Sequence, residues 1–169
     1  MSCHSTANRQ RPGVVLVSGC SDSGKTTLIE RLIPRLRARG LRVGTIKHAH
    51  HGFDMDHPGK DSWRHARAGA VAVAVIAPTR AAWLVETPEE LSCVQAVKRM
   101  SGDVDLVLVE GFKRAAGPKM LLEPGGDARL TVGASRCRIG VRPDALTPTE
   151  WGQVAQFCAR HARRSQVTR

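Results

Sequence analysis

A glycine-rich segment near the start of the chain carries the residue types that bind phosphate groups. It reads G-x-x-x-x-G-K-[ST]. Its glycines let the backbone turn tightly, so that successive N–H groups point at phosphate oxygens. Lys25 would reach the β- and γ-phosphates, the Thr26 hydroxyl would bind magnesium, and Thr27 would contact the α-phosphate. The segment predicts a phosphate-binding loop (P-loop) for ATP or GTP with Mg²⁺, formed by Gly19, Cys20, Ser21, Asp22, Ser23, Gly24, Lys25, Thr26 and Thr27.

The elements on either side of this loop support that interpretation. Residues 14–18 form a continuous apolar run, typical of a strand buried on both faces of a parallel sheet. Apolar residues then recur at helical spacing up to Gly40, and Pro34 is expected to kink this helix. Residues 43–46 predict a second strand, which completes a βαβ unit around the loop.

The rest of the chain predicts further elements of an α/β protein. They are a helix at 61–68 with Asp61 as cap, a hairpin of 71–76 and 81–85, a helix at 88–100 capped by Thr87, a strand at 105–110, two or three short strands within 118–142, and a last helix from Pro148 to about Arg164. The expected fold class is a P-loop NTPase-type α/β fold, with a mostly parallel sheet, helices on both faces and short strands in the C-terminal half. Residues 1–12 predict a flexible tail, and residues 13–169 a single nucleotide-binding domain.

A phosphate-binding loop needs a carboxylate on a neighbouring strand to hold magnesium. Asp105 begins the apolar run at 105–110 and Glu110 ends it. Because ligands bind at the carboxyl ends of strands in open α/β sheets, this rule favours Glu110 over Asp105 as the metal-binding acid.

Histidine and aspartate crowd the segment after the second strand, at His48, His50, His51, Asp54, Asp56, His57 and Asp61. One interpretation is a transition-metal site, although the spacing matches no tetrahedral site. A second is a switch-like loop, in which Lys47 faces phosphate and Asp56 or Asp61 faces magnesium or a ligand. A third is a solvated loop without a function.

Composition limits the classes of function. The chain has 169 residues, 41% of them hydrophobic, and a formal net charge of +11, so it favours a folded protein with anionic partners. Its five cysteines contain no C-x-x-C pair, which argues against a zinc ribbon or a disulfide framework. No apolar stretch approaches the roughly 20 residues that span a bilayer, and we expect a cytoplasmic protein without a membrane partner.

Several segments together resemble one family, the molybdopterin-guanine dinucleotide biosynthesis adaptor proteins of the MobB type. The matching stretches are 19–27, 40–48, the segment D-H-P-G-K-D-S-W at 56–63, A-G-A at 68–70, and D-L-V-L-V-E-G-F-K at 105–113. The resemblance implies a GTP-binding homodimer with at most slow GTPase activity. It also implies that the protein assists conversion of molybdopterin to its guanine dinucleotide form, beside the guanylyltransferase that attaches GMP.

The resemblance also assigns residues. Gly24, Lys25 and Thr26 would bind the nucleotide, and Thr26 and Glu110 would bind Mg²⁺. A possible switch or ligand loop would contain Lys47, His48, Asp56, Lys60 and Asp61. Two rival functions stay open. One is a small-molecule kinase, which needs an Arg-bearing lid over the phosphates; Arg64, Arg67 or Arg80 could serve, but no lid is obvious. The other is a nucleic-acid binder, which charge alone suggests and which the lack of interleaved aromatic residues does not favour.

Overall fold

The computed structural model describes residues 11–100, 104–122, 129–132, 137–140 and 145–162. Twelve elements follow one another along these residues: β1 (Gly13–Gly19), α1 (Lys25–Arg37), β2 (Val43–Lys47), α2 (Asp61–Arg67), β3 (Ala72–Ala77), β4 (Arg80–Val85), α3 (Cys93–Arg99), β5 (Leu106–Glu110), β6 (Lys119–Leu122), β7 (Arg129–Val132), β8 (Cys137–Gly140) and α4 (Pro148–His161). None of the helices in these ranges is long and apolar enough to cross a membrane.

The larger sheet has the strand order β2-β5-β1-β6-β7-β8. Its first four strands are parallel, and β7 and β8 extend it with antiparallel pairs. The predicted α/β fold with a mostly parallel sheet is therefore confirmed. The register matters for function, since Val17 of β1 and Lys47 of β2 both pair with Glu110 of β5.

Helices cover both faces of this sheet, because alternate residues of the central strands point to opposite sides. On one face, Val15, Val17, Leu106 and Leu108 pack with buried residues of α1 and α4. On the other face, Leu16, Val107 and Val109 pack with Val97 of α3. Burial on both sides explains why β1 and β5 are unbroken apolar runs in the sequence.

The chain forms two compact units. One contains the residues before 49 and after 92, and the other contains residues 49–92. The prediction of one domain from 13 to 169 stays a prediction, as does the tail at 1–12, of which residues 1–10 lie outside the described residues. The second unit consists of a loop, α2 and the hairpin of β3 and β4.

Two helix predictions are corrected. The helix expected at 88–100 is only Cys93–Arg99, and residues 88–92 are irregular, so Thr87 caps no helix. Helix α2 begins at Asp61 itself, with Lys60 rather than Asp61 at the cap position. A carboxylate inside the first turn still interacts favourably with the positive end of the helix.

The last helix ends earlier than expected but begins as expected. Thr147 caps α4 through a reciprocal pair of bonds with Glu150, and Pro148 occupies the first turn. This capping box satisfies two N–H groups that have no partner inside the helix. The bonds also lower the pKa of the Glu150 carboxyl, since they favour its charged form.

Candidate functional site

The glycine-rich loop connects the end of β1 to the start of α1. Gly24 stands at the helix cap with φ 86°, a left-handed conformation that glycine adopts without steric cost. A Cβ on Gly19 would lie 2.5 Å from the carbonyl oxygen of Leu122, so that position admits no side chain. Both glycines are thus required by the backbone path that brings the loop to the helix N-terminus, where anions bind.

Lys25 folds over the loop that precedes it. Its Nζ donates to the carbonyl oxygen of Cys20, and it lies 3.4 Å from Oγ of Ser23. The ammonium group therefore lies against the loop, where it would add a positive charge near the loop N–H groups. A lysine with this position can bind a phosphate as a point charge.

Thr26 and Glu110 meet beside this loop. The Thr26 hydroxyl donates to Oε1 of Glu110 over 3.4 Å, although 84 positions separate the residues. Glu110 ends β5, and β5 lies next to β1 in the sheet, so the carboxylate reaches the first turn of α1. A hydroxyl and a carboxylate form an all-oxygen donor set, the type that Mg²⁺ prefers.

The backbone around Glu110 is held from both neighbouring strands. The carbonyl oxygen of Glu110 accepts a hydrogen bond from the His48 N–H at 2.9 Å, and the Gly111 N–H donates to the Val17 carbonyl at 3.1 Å. Gly111 has φ 96°, and a Cβ there would approach Cβ of His48 to 2.8 Å. Glycine is therefore needed directly after the acid.

An aromatic stack lies next to this turn. The rings of His48 and Phe112 have centroids 4.0 Å apart and planes inclined by 10°. Phe112 also has a positive φ of 45°, which is uncommon for a bulky residue. The sequence reasoning missed this contact, although Phe112 lies within the V-E-G-F-K segment that it singled out. Two side chains far apart in sequence give no periodic signal for such stacking.

Asp105, the rival acid, lies at the other end of β5. Its carboxylate accepts from the main-chain N–H and the guanidinium of Arg42, with distances of 2.9 to 3.1 Å. The Asp105 side chain is 5% exposed. These bonds give it a structural role that joins the start of β2 to the start of β5.

The residues predicted for the switch or ligand loop divide between the two compact units. Lys47 and His48 belong to the unit that contains the P-loop, and Asp56, Lys60 and Asp61 belong to the unit of residues 49–92. Within that unit, Oδ1 of Asp56 accepts from Oγ of Ser62 at 3.0 Å and from the main-chain N–H of His57 at 2.9 Å. Asp61 lies 3.9 Å from the guanidinium of Arg64 and is exposed. These contacts order the start of α2.

The fold and the loop define a class, the P-loop nucleotide-binding proteins. The profile of a family described as "Molybdopterin guanine dinucleotide synthesis protein B" (MobB) matches residues 14–128. The match covers more than half of the chain, so the chain belongs to the MobB family.

Two curated relatives have similar sequences. A molybdopterin-guanine dinucleotide biosynthesis adapter protein of Haemophilus influenzae is 47% identical over 116 residues, which are 68% of this chain and 65% of that protein. Its counterpart of Escherichia coli is 49% identical over 105 residues, 60% of each. The chain thus spans less than two thirds of the length of these relatives.

Solved structures of the same family are similar in fold. A crystal structure of molybdopterin-guanine biosynthesis protein B has a TM-score of 0.55 and 33% identity, over 66% of this chain and 70% of the other. Bacillus subtilis MobB has a TM-score of 0.54 and 33% identity, over 64% and 66% of the two chains. These likenesses in fold agree with the membership of the chain in the MobB family.

Proposed function

We propose that the protein is a molybdopterin-guanine dinucleotide biosynthesis adapter that binds GTP with Mg²⁺ and hydrolyses GTP slowly at most. The observation that carries the proposal is the meeting of the Thr26 hydroxyl and the Glu110 carboxylate at 3.4 Å, beside the P-loop. The first turn of α1, the loop N–H groups and the Lys25 ammonium would hold the phosphates, as the sequence pattern predicts.

Magnesium would be held by Thr26 and Glu110. When bound, Mg²⁺ would offset negative charge on the phosphate oxygens. The residues of this chain supply the rest: Thr26 offers its oxygen from a fixed helical turn, and Glu110 is held by backbone bonds to β1 and β2. The fixed backbone at both residues limits the directions from which the two oxygen donors can approach the cation.

The choice of GTP over ATP is supported by the family and not by a base-reading motif. The chain contains neither N-K-x-D nor T-K-x-D, and its only asparagine is Asn8. The family description names a guanine dinucleotide product. We therefore propose that the partners are GTP, a molybdopterin-type cofactor and the guanylyltransferase that joins them.

We further propose that the protein is a homodimer. One face of the β3–β4 hairpin is entirely apolar, and Ile76 and Trp83 on it are 75% and 67% exposed. This hairpin face comprises Ala72, Ala74, Ile76, Ala81, Trp83 and Val85. A two-stranded hairpin needs a covering layer to be stable, and a second copy offers a surface of the same composition.

Nucleotide titration with measured turnover tests the proposal. A GTP-binding adapter should bind GTP in the presence of Mg²⁺ and turn it over less than about once per minute, whereas kinases work at about 1–100 per second. Transfer of phosphate to a metabolite at a kinase rate would favour the small-molecule kinase instead.

A further inference from the structure

A second concave site lies on α1, beyond the turn that carries Lys25. It contains three arginines spaced by four positions, Arg31, Arg35 and Arg39. Residues four positions apart are neighbours on one side of a helix, so these side chains lie on the same side of α1 and of the turn that follows it. Helix α4 closes the other side of the site with Trp151. The cavity has a volume of about 430 Å³ and is lined by Arg31, Arg35, Arg39, Leu146, Pro148, Trp151 and Gly152. We call it the arginine cavity.

Two of the three arginines, Arg35 and Arg39, are held in place by contacts within the protein. The guanidinium of Arg35 lies 4.3 Å from the centroid of the Trp151 ring and donates to the Arg31 carbonyl oxygen at 2.7 Å. Arg39 donates to the Arg35 carbonyl oxygen at 3.1 Å. Each of these bonds uses one of the five N–H donors of a guanidinium. The geometry is therefore ordered before any partner binds, which reduces the entropic cost of binding.

Two arginines of this cavity, Arg35 and Arg39, keep a positive charge that no ion pair within the described residues offsets. Carbonyl oxygens carry no net charge, and within the described part of the chain neither Arg35 nor Arg39 forms an ion pair. The carboxylate of Glu150, on α4, is occupied by Thr147, whose N–H and hydroxyl donate to it at 2.7 and 2.8 Å. These bonds hold the Glu150 carboxylate at the start of α4, where it keeps its negative charge.

We propose that the arginine cavity binds an acidic segment of a partner protein. Guanidinium groups match the planar geometry of carboxylates, and an open basic surface attracts a chain that carries several of them. A single-stranded nucleic acid fits less well, because it needs exposed aromatic faces for its bases and Trp151 is only 5% exposed beneath Arg35.

The location of the cavity relates it to the nucleotide site. Helix α1 carries Lys25 and Thr26 in its first turn and two of the three arginines further along. A partner bound at the cavity would contact the same rigid helix that holds the phosphates. This proposal rests on the proposed adapter function, which requires a partner protein. Binding of an acidic segment by the arginine cavity does not depend on which nucleotide the protein binds.

The experiment measures binding of a fluorescein-labelled oligoglutamate peptide to the full chain by fluorescence anisotropy. Arg39→Glu changes a residue of the cavity, and Arg37→Glu makes the same charge change on an exposed residue outside the cavity. We expect Arg39→Glu to weaken peptide binding by about tenfold or more and Arg37→Glu by about twofold or less. Both variants should bind GTP as the unaltered protein does, and equal melting temperatures would show that both fold.

Three results would overturn the proposal. The first is that the unaltered chain does not bind the peptide. The second is that Arg39→Glu and Arg37→Glu weaken binding equally, which would indicate a diffuse charge effect. The third is that Arg39→Glu weakens binding of an oligothymidylate but not of oligoglutamate, which would identify a nucleic-acid site. Failure of GTP binding in the unaltered chain would contradict the proposed function alone, because the peptide measurement needs no nucleotide.

Discussion

Thr26 donates its hydroxyl hydrogen to Glu110 across 3.4 Å, and 84 positions separate these two residues in the sequence. The contact arises because β1 and β5 are adjacent parallel strands, so the helix after β1 begins beside the carboxyl end of β5. The relationship connects the topology of the sheet directly to a pair of oxygen donors. The magnesium proposal depends on this pair.

Replacing Glu110 by glutamine should reduce the dependence of GTP binding on magnesium. The amide keeps the size of the side chain but loses the charge, and we expect the apparent Mg²⁺ affinity to fall by about 10- to 100-fold, as for other groups that orient or hold a metal. Magnesium titration of GTP affinity measures this effect. Glu30→Gln, at an exposed position of α1, is the control. An unchanged magnesium dependence in Glu110→Gln would exclude Glu110 from the metal site.

Replacing Asp105 by asparagine should destabilise the fold without altering nucleotide affinity. The change removes the charge that accepts three hydrogen bonds from Arg42. The Arg42 side chain is 48% exposed and can turn to water, so we expect a loss of about 1–3 kcal/mol in the free energy of unfolding. Urea denaturation provides the measurement. The exposed Asp61→Asn should change stability by less than about 0.5 kcal/mol, and an equal loss there would contradict the structural role of Asp105.

Stability should decline at alkaline pH because of Cys158. Burial raises the pKa of this thiol from its ordinary value of 9.0 to about 12. Between these values the unfolded chain releases the proton and the folded chain keeps it, so the stabilisation is complete below pH 9.0 and decreases as the pH rises towards 12. The slope should be about 1.4 kcal/mol per pH unit.

Urea denaturation at several pH values above 9.0 would measure this slope. Cys158→Ala should reduce the slope, whereas Cys20→Ala, at an exposed position, should leave it unchanged. If the slope were the same in Cys158→Ala as in the unaltered chain, the thiol would not cause the decline.

A charge on the apolar face of the hairpin should dissociate the dimer. Trp83 is 67% exposed on this face, so we expect the single chain to fold with Trp83→Glu. In a dimer the new carboxylate would lie between two apolar faces without a partner, so the dimer should not form. Light scattering after size-exclusion chromatography would give the mass of the particle. Val94→Glu, on α3 and 59% exposed, is the control and should stay dimeric. A dimeric Trp83→Glu variant, or a monomeric unaltered protein, would contradict the proposal.

The sequence predicted best where residues act through their neighbours along the chain. The P-loop pattern, the apolar runs of β1 and β5, and the Thr147 cap all follow from local chemistry, and the α/β fold is confirmed. Residues 88–92 carried proline and acids that favour a helix start, but the helix begins only at Cys93. The helix propensity of such a short segment contributes less to the free energy of folding than the packing of Val97 against the sheet.

Contacts between distant segments could not be predicted in the same way. The stack of His48 on Phe112 and the pairing of Arg42 with Asp105 depend on which strands become neighbours. The strand-end rule could favour Glu110 over Asp105, because it uses only the direction of one strand. The rule could not indicate that Asp105, at the opposite end of β5, pairs with the guanidinium of Arg42.

Calorimetric titration of the full chain with GTP and with ATP, both with Mg²⁺, would measure nucleotide binding at the P-loop. We expect GTP to bind at least about tenfold more tightly than ATP, a difference of about 1.4 kcal/mol, and Lys25→Ala to abolish binding. Lys98→Ala, an exposed lysine of α3, should bind GTP normally. Equal or tighter binding of ATP would contradict the preference for GTP, and undiminished binding of GTP by Lys25→Ala would contradict the role of the P-loop.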